Sequence, residues 1–250
     1  MPAPLSAAFL DRPIAHRGLH GPGVPENSLA AARAAIAAGY GIELDIQPGA
    51  AGQPLVFHDY DLPRLTGQNG FIRACDDAAL AALRLTGSDE SVPRLDAFLD
   101  LVAGRVPLLI EIKDQDMRLG PDIGGLHQAV AEALTGYAGP VAVMSFNPHV
   151  VTAFHAIAPG IACGLTTCGY DADDWPMIDA ERRAHLAAIA DFDSSGSSFI
   201  SHDHNDLGNP AVAALKSRGV PVLCWTIRSR EQEKAARRVA DNITFEDYPA

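Results

Sequence analysis

The hydrophobic pattern of this sequence alternates between two kinds of segment along its whole length. Short runs of apolar and β-branched residues, bounded by glycine, proline or polar residues, are typical of buried strands. Eight such strands are predicted, at residues 13–16, 41–47, 54–58, 107–113, 141–146, 161–167, 198–202 and 220–227. Helices are predicted between them, at residues 29–38, 76–83, 94–102, 122–134, 180–190, 211–216 and 231–240.

This alternation predicts parallel strands covered by helices. Eight strands in 250 residues predict a (β/α)₈ TIM barrel, with a doubly wound open sheet as the alternative. No phosphate-binding glycine motif follows the first strand, which argues against the open sheet. The connection 59–106 is long and contains two of the predicted helices. We interpret it as a small helical insertion after the third strand, within one domain that spans residues 1–250.

Composition narrows the possible partners and the compartment. The chain has 31 acidic and 19 basic residues, a formal net charge of -12, and such a surface repels nucleic acid and anionic membranes. The N-terminal segment lacks a basic region followed by an apolar run, and no apolar stretch is long enough to span a bilayer. We therefore expect a cytoplasmic protein without nucleic-acid partners or stable membrane insertion. Its four cysteines form no CxxC pair and are predicted to be buried free thiols. The oligomeric state is left open.

Acidic residues fall on one face of two predicted strands. Because side chains alternate along a strand, Glu43, Asp45 and Gln47 share one face, and Glu111 and Lys113 share another. Buried carboxylates need a cation or a hydrogen-bond network. Two carboxylates from one strand and a third from another suit a hard divalent cation such as Mg²⁺ or Ca²⁺. The alternative is a set of structural salt bridges, including one between Glu111 and Lys113.

Two histidines stand at the ends of predicted strands, His16 after the first and His58 after the third. Catalytic groups of a (β/α)₈ barrel gather at the carboxyl ends of the strands, and histidine exchanges protons near neutral pH. Arg17 and Lys113 are cations beside these groups, and such cations next to a divalent metal make a phosphate site. Glu26, in the loop after the first strand, is predicted to orient a metal ligand or a histidine.

These residues occur in motifs that resemble the glycerophosphodiester phosphodiesterase family. The motifs are His16-Arg17-Gly18, Pro25-Glu26-Asn27, Glu43-x-Asp45, His58-Asp59, Leu62-x-Arg64-x-Thr66-Gly67 and Glu111-x-Lys113. The resemblance continues through Ser145-Phe146, Gly219-x-Pro221-Val222, Trp225-Thr226 and Asp247-Tyr248-Pro249. It therefore covers essentially the whole chain.

The resemblance implies a (β/α)₈ barrel that hydrolyses glycerophosphodiesters to glycerol 3-phosphate and an alcohol. It implies dependence on one divalent ion, Mg²⁺ or Ca²⁺, with Mn²⁺ also possible. The roles that it carries over are metal binding by Glu43, Asp45 and Glu111, general acid/base catalysis by His16 and His58, phosphate contact by Arg17 and Lys113, a pocket-lining position for Trp225, and supporting contacts from Glu26, Asn27 and Asp59.

Two segments depart from the family pattern and leave the alcohol group open, 201–206 and 240–246. In the first, the residues His202, Asp203, His204 and Asp206 are interpreted as a polar loop, with a second metal site as the alternative. Ser28 stands where many members have threonine. Other enzymes considered are a lysophospholipase D or sphingomyelinase-D-like enzyme on the same barrel, and an amidohydrolase, which would usually have His-x-His at the first strand's end. The alternative outside enzymes is a non-catalytic phosphate-binding barrel.

Overall fold

A computed structural model describes residues 2–250 and contains one sheet of nine strands. The strands are β1 Ile14–Ala15, β2 Gly41–Pro48, β3 Pro54–Val56, β4 Leu108–Ile112, β5 Val141–Ser145, β6 Ala162–Thr167, β7 Phe199–Asp203, β8 Val222–Ile227 and β9 Asn242–Phe245. All strands except β3 follow one another in chain order, and β1 pairs with both β9 and β2. The eight strands other than β3 form a closed parallel barrel with helices between them, which confirms the predicted (β/α)₈ fold.

The identity of two strands differs from the prediction. The predicted third barrel strand is β3, which is antiparallel to β2, with Ile46 opposite Val56 and Pro48 opposite Pro54. The eighth parallel strand is β9, which was not predicted. All four residues of β9 are buried, but Asn242 and Thr244 interrupt its apolar character. The helical segment 59–106 does follow the third strand of the chain, although that strand lies outside the parallel barrel.

Ten α-helices accompany the strands within residues 2–250, and the first of them precedes β1. They are α1 Ala8–Asp11, α2 Leu29–Ala38, α3 Pro63–Thr66, α4 Asp77–Ala82, α5 Leu95–Val102, α6 Leu126–Ala133, α7 Pro148–Ile157, α8 Ala180–Ala187, α9 Pro210–Ser217 and α10 Arg230–Ala236. Of the longer ones, α7 was not predicted, because Val150, Val151 and Thr152 have low intrinsic helix propensity. It forms with Asn147 as N-cap and buries the two valines. None of the ten has both the length and the apolarity needed to cross a membrane.

The chain packs as two compact units. One comprises Ala15–Lys113 and Gly125–Val141, and the other comprises the residues up to Ile14, Asp114–Gly124 and Ala142–Ala250. The first unit has a hydrophobic cluster that joins β3 to the segment after it, formed by Leu55, Phe57, Leu62, Leu65, Ile72, Cys75, Leu80, Leu83, Leu85 and Val92. The assignment of residues 1–250 to one domain with an insertion at 59–106 stays a prediction.

The four cysteines are free and buried, as predicted. Burial raises the pKa of Cys163 to about 11 and, as the largest cause, the pKa values of Cys168 and Cys224 to about 12. A thiol with such a pKa is almost entirely protonated at neutral pH and therefore unreactive. These cysteines belong to the packing of the protein rather than to its chemistry.

Candidate active site

Two neighbouring barrel strands bring three carboxylates together. Strands β2 and β4 are parallel with Asp45 opposite Glu111, so both side chains stand at the same level, and Glu43 lies two residues earlier on the same face of β2. Their residues are 2%, 1% and 5% exposed for Glu43, Asp45 and Glu111. One ligand oxygen from each lies within 4.8 Å of the others. Within residues 2–250, no other group of three His, Cys, Asp or Glu side chains has this spacing.

Lys113 forms a bridge between two of these carboxylates. It directly follows β4, and its Nζ lies 2.6 Å from Asp45 Oδ1 and 2.5 Å from Glu111 Oε1. Burial opposes the charged form of Lys113, but the two carboxylates outweigh it and raise the pKa of the ammonium group. The salt bridge between Glu111 and Lys113 that the sequence suggested is therefore present, and it leaves Glu43 outside it.

Arg17 reaches the same cluster from the loop after β1. Its backbone N–H donates to Glu43 Oε2 at 3.0 Å, its Nη1 donates to Glu26 Oε1 at 2.7 Å, and its Nε lies 3.4 Å from Asp45 Oδ2. The residue adopts a φ of 55°, and Gly18 follows at 78°. A Cβ on Gly18 would lie 2.8 Å from the Cβ of Ala31, so only glycine fits there. The local sequence thereby turns the Arg17 backbone toward Glu43.

The charges of the cluster are not balanced by Lys113 and Arg17. Burial would raise the pKa of Asp45, but Lys113, His58 and Arg17 hold it well below its usual range. For Glu43, burial and the neighbouring charges of Asp45 and Glu111 raise the pKa well above its usual range. His16 Nε2 lies 4.0 Å from Glu43 Oε2. The triad thus has a carboxylate in excess, which fits a divalent cation with oxygen ligands.

A pH dependence of stability follows from Glu43 in metal-free protein. Its pKa is raised above the ordinary value of 4.5, so the folded protein binds more protons than the unfolded chain between that value and the raised one. The contribution of Glu43 to the free energy of unfolding is present below pH 4.5 and is lost as the pH rises through the raised pKa. Urea unfolding in EDTA across pH 4 to 8 measures it. We expect the free energy of unfolding of Glu43→Gln to fall less with rising pH than that of wild type. Parallel curves of the unfolding free energy against pH would contradict this.

Asn27 holds Asp45 in place. Its Nδ2 donates to Asp45 Oδ2 at 2.8 Å, and the Asp45 backbone N–H donates to Asn27 Oδ1 at 3.3 Å. The N-cap of α2 is Ser28, whose hydroxyl accepts from the backbone N–H of Ala31. The Asn27 side chain is therefore committed to Asp45, and its supporting role at the site stays a prediction.

His58 lies near Asp45 for a different reason from the one predicted. It does not stand at the carboxyl end of a parallel strand, because β3 runs antiparallel to β2. The return of the chain instead brings it back along β2, where Phe57 N donates to Asp45 O at 2.9 Å and Gln47 Nε2 donates to His58 O at 3.2 Å. His58 Nδ1 lies 2.7 Å from Asp59 Oδ1. His16 does follow a parallel strand, β1, as predicted.

Arg64 is a site residue whose role sequence reasoning missed. Its guanidinium group contacts both Asp59 and Glu26, each through two hydrogen bonds of 2.7–2.9 Å. These hydrogen bonds raise the pKa of Arg64. Burial alone would raise the pKa of Asp59, but hydrogen bonds from His58 and Arg64 outweigh it and lower that pKa. The residue appears in the motif after His58-Asp59, but its contacts cross a turn and have no periodic signature.

Trp225 belongs to an aromatic cluster in the second unit. Its indole N–H donates to Ser201 O at 2.9 Å, and its ring centroid lies 5.5 Å from that of Phe146. Phe146 in turn contacts Tyr170 at 6.4 Å and Trp175 at 5.2 Å between ring centroids. The sequence did not reveal this cluster, because its members come from separate loops and strands. The pocket-lining role of Trp225 stays a prediction.

The segment 201–206 has the contacts of a structural network. His202 is fully buried at the end of β7; its Nδ1 lies 2.7 Å from Thr167 Oγ1, and its Nε2 lies 3.2 Å from Asp206 Oδ2. Burial lowers the pKa of His202, which favours its neutral form. Both ring nitrogens are thus engaged within the protein. His204 begins a 3₁₀ turn that ends at Asp206.

The sequence model of the glycerophosphoryl diester phosphodiesterase family matches residues 16–249, a range that includes every predicted site residue. The chain belongs to this family. The fold and this match define the protein as a phosphoric diester hydrolase.

Relatives and solved structures agree with this assignment over nearly the whole chain. A glycerophosphodiester phosphodiesterase of Caldanaerobacter subterraneus subsp. tengcongensis is 28% identical over an alignment of 254 positions that covers 94% of this chain and 93% of the relative. A phosphodiesterase of Oleispira antarctica, solved in complex with the product sn-glycerol-3-phosphate, has a TM-score of 0.77 and 26% identity, covering 97% of this chain and 95% of that one. A glycerophosphodiester phosphodiesterase of Thermotoga maritima, 22% identical with a TM-score of 0.70, shares the fold and covers 94% of each chain.

Proposed function

We propose that the protein hydrolyses glycerophosphodiesters to glycerol 3-phosphate and an alcohol, using one divalent cation. The observation that carries the proposal is the buried triad of Glu43, Asp45 and Glu111, with one carboxylate more than the neighbouring cations balance. The product in the Oleispira antarctica structure supports the same product here. The triad offers only carboxylate oxygens as ligands, which favours Mg²⁺ or Ca²⁺, with Mn²⁺ as a substitute.

The two cationic side chains beside the triad, Arg17 and Lys113, would bind the substrate's phosphate. Lys113 has an ammonium group with three N–H donors, and its contacts with Asp45 and Glu111 hold that group beside the triad. Arg17 has a planar guanidinium group, which suits the oxygens of a phosphodiester. Glu43, Asp45 and Glu111 would hold the divalent cation, which would neutralise charge on the phosphate oxygens. Arg17 and Lys113 would hold the phosphate in a fixed orientation toward the two histidines.

The proposed proton transfers use His16 and His58. One imidazole removes a proton from the nucleophile, and the other protonates the departing alkoxide. Because Nδ1 of His58 is held by Asp59, Nε2 is the nitrogen of His58 that would exchange a proton with substrate. The nucleophile is water or a neighbouring hydroxyl of the substrate, and the second case releases a cyclic phosphate first. Trapping and chromatography of early products distinguish the two.

A substrate panel tests the proposed function. We expect release of glycerol 3-phosphate from glycerophosphocholine, glycerophosphoethanolamine or glycerophosphoglycerol, measured with a coupled glycerol-3-phosphate dehydrogenase assay. Lysophosphatidylcholine and bis(p-nitrophenyl) phosphate complete the panel. Preference for the lysolipid would replace the proposal with a lysophospholipase D activity. Absence of turnover on every compound, by metal-loaded protein, would favour a phosphate-binding role.

A further inference from the structure

Arg64 is placed by a short helix whose ends are determined by its sequence. Helix α3 starts with Pro63, and Gly67 ends it in a left-handed conformation with its N–H donating to Pro63 O. Leu62 and Leu65 are buried on one side of this turn, in the hydrophobic cluster after β3. Arg64 lies between these two anchors and has a side chain that is 47% exposed. The turn therefore presents the guanidinium group on the surface side of the buried leucines.

The guanidinium group of Arg64 joins two carboxylates with nearly all of its donors. Nε and Nη2 donate to the two oxygens of Asp59 at 2.7 and 2.8 Å. Nη1 and Nη2 donate to the two oxygens of Glu26 at 2.8 and 2.9 Å. Four of its five N–H groups are thus used in two bidentate pairs, which fix the planes of both carboxylates.

Asp59 is the link from Arg64 to a proposed catalytic residue. Its Oδ1 accepts from Arg64 and also lies 2.7 Å from His58 Nδ1. A carboxylate that contacts a histidine in this way selects the tautomer of the ring and its direction. Because Arg64 holds both oxygens of Asp59, rotation of that carboxylate would break two hydrogen bonds. The direction of the His58 ring thus depends on Arg64, which does not touch it.

We propose that Arg64 is a positioning residue, which orients His58 for proton transfer through Asp59. This inference rests on the proposed function and adds to it a residue with no assigned part. A second route leads from Arg64 through Glu26 to Arg17, which the Glu26 carboxylate also contacts at 2.7 Å. The proposal assigns the effect of Arg64 to the Asp59 route, and the experiment separates the two.

The test is a double-mutant cycle between Arg64→Gln and His58→Ala, measured on glycerophosphocholine with saturating Mg²⁺. Loss of a supporting contact costs about 10- to 100-fold in activity, so we expect Arg64→Gln to lower kcat by that factor with KM within about threefold. In the His58→Ala background, the same substitution should change kcat less than threefold, because residues that act as a unit are non-additive. Arg64→Lys should lose nearly as much as Arg64→Gln, since one ammonium group cannot form both bidentate pairs.

Arg94→Gln is the matched control. Arg94 is equally exposed, at 48% of its side chain, and it pairs with Asp77 and Asp96 away from the triad. The Arg94→Gln substitution should leave kcat unchanged. An additive loss in the His58→Ala background, or an increase in the Mg²⁺ concentration for half activity, would overturn the proposal in favour of the Glu26 route. Unchanged kcat in Arg64→Gln would also overturn it. If wild-type protein has no phosphodiesterase activity at all, the proposed function fails first.

Discussion

Replacing His16 or His58 with alanine is expected to lower kcat on glycerophosphodiesters by about 10² to 10⁴, the usual contribution of a general acid or base. If the two histidines act in one proton-transfer sequence, the double variant should be little slower than the slower single variant. Stopped assays with glycerophosphocholine, at several enzyme concentrations, measure these low rates. His149→Ala is the control, since this exposed histidine lies on α7 and is not among the predicted site residues.

The leaving group tells the two histidines apart. A p-nitrophenolate leaves without much protonation, so p-nitrophenyl esters should partly restore turnover in the variant that lacks the acid. They should not restore it in the variant that lacks the base. The Mg²⁺ concentration for half activity should stay unchanged in both, because neither histidine is assigned as a metal ligand. A folded, metal-loaded variant with near wild-type turnover would refute the two-histidine mechanism.

Chelation of the divalent cation is expected to abolish activity, and Mg²⁺, Ca²⁺ or Mn²⁺ should restore it. A metal that stabilises charge in the transition state contributes several kcal/mol, so its loss should cost roughly 10³-fold or more in rate. Exhaustive dialysis against EDTA, with residual metal measured by mass spectrometry, gives the comparison. Full activity at negligible metal content would refute the assignment of Glu43, Asp45 and Glu111.

Thermal unfolding gives a second measure of the same cation, independent of turnover. A ligand that binds only the folded state raises the free energy of unfolding, by about 2.7 kcal/mol at 100 times its Kd. Adding Mg²⁺ or Ca²⁺ to chelated wild-type protein should therefore raise Tm, whereas Glu43→Gln and Asp45→Asn should respond weakly. Asp96→Asn, at an exposed carboxylate, should respond like wild type. Equal responses in all variants would place the cation elsewhere.

The alternation of apolar and polar residues was sufficient to predict the barrel and the faces that bring three carboxylates together. On β2 and β4, isoleucine and leucine alternate with Glu43, Asp45 and Glu111, so the sequence pattern alone places the carboxylates on shared faces. The parallel register then put Asp45 opposite Glu111. Such a pattern is visible because the acids interrupt strands that are otherwise apolar.

The errors arose where tertiary contacts outweigh local sequence. Strand β9 is held by partners on β8, and its Asn242 donates to the backbone oxygens of Phe9 and Arg12, more than 200 residues earlier. Strand β3 has the apolar character of a barrel strand, and only its pairing with β2 shows that it is antiparallel. Arg64 reaches Asp59 and Glu26 across a turn. None of these contacts repeats with the period of a helix or strand, so the pattern could not indicate them.

The hairpin of β2 and β3 limits the changes in chain length that this enzyme can tolerate. Two carboxylates of the triad and His58 all lie on a single continuous stretch, and the turn 49–53 joins its two strands. A shift of one residue in the pairing would move His58 to the opposite face and away from Asp45. Residues 50–52 of this turn are exposed, and exposed surface loops normally tolerate insertions. Here the length of the turn sets the register that places His58 beside Asp45. The turn should therefore accept substitutions far more readily than insertions or deletions.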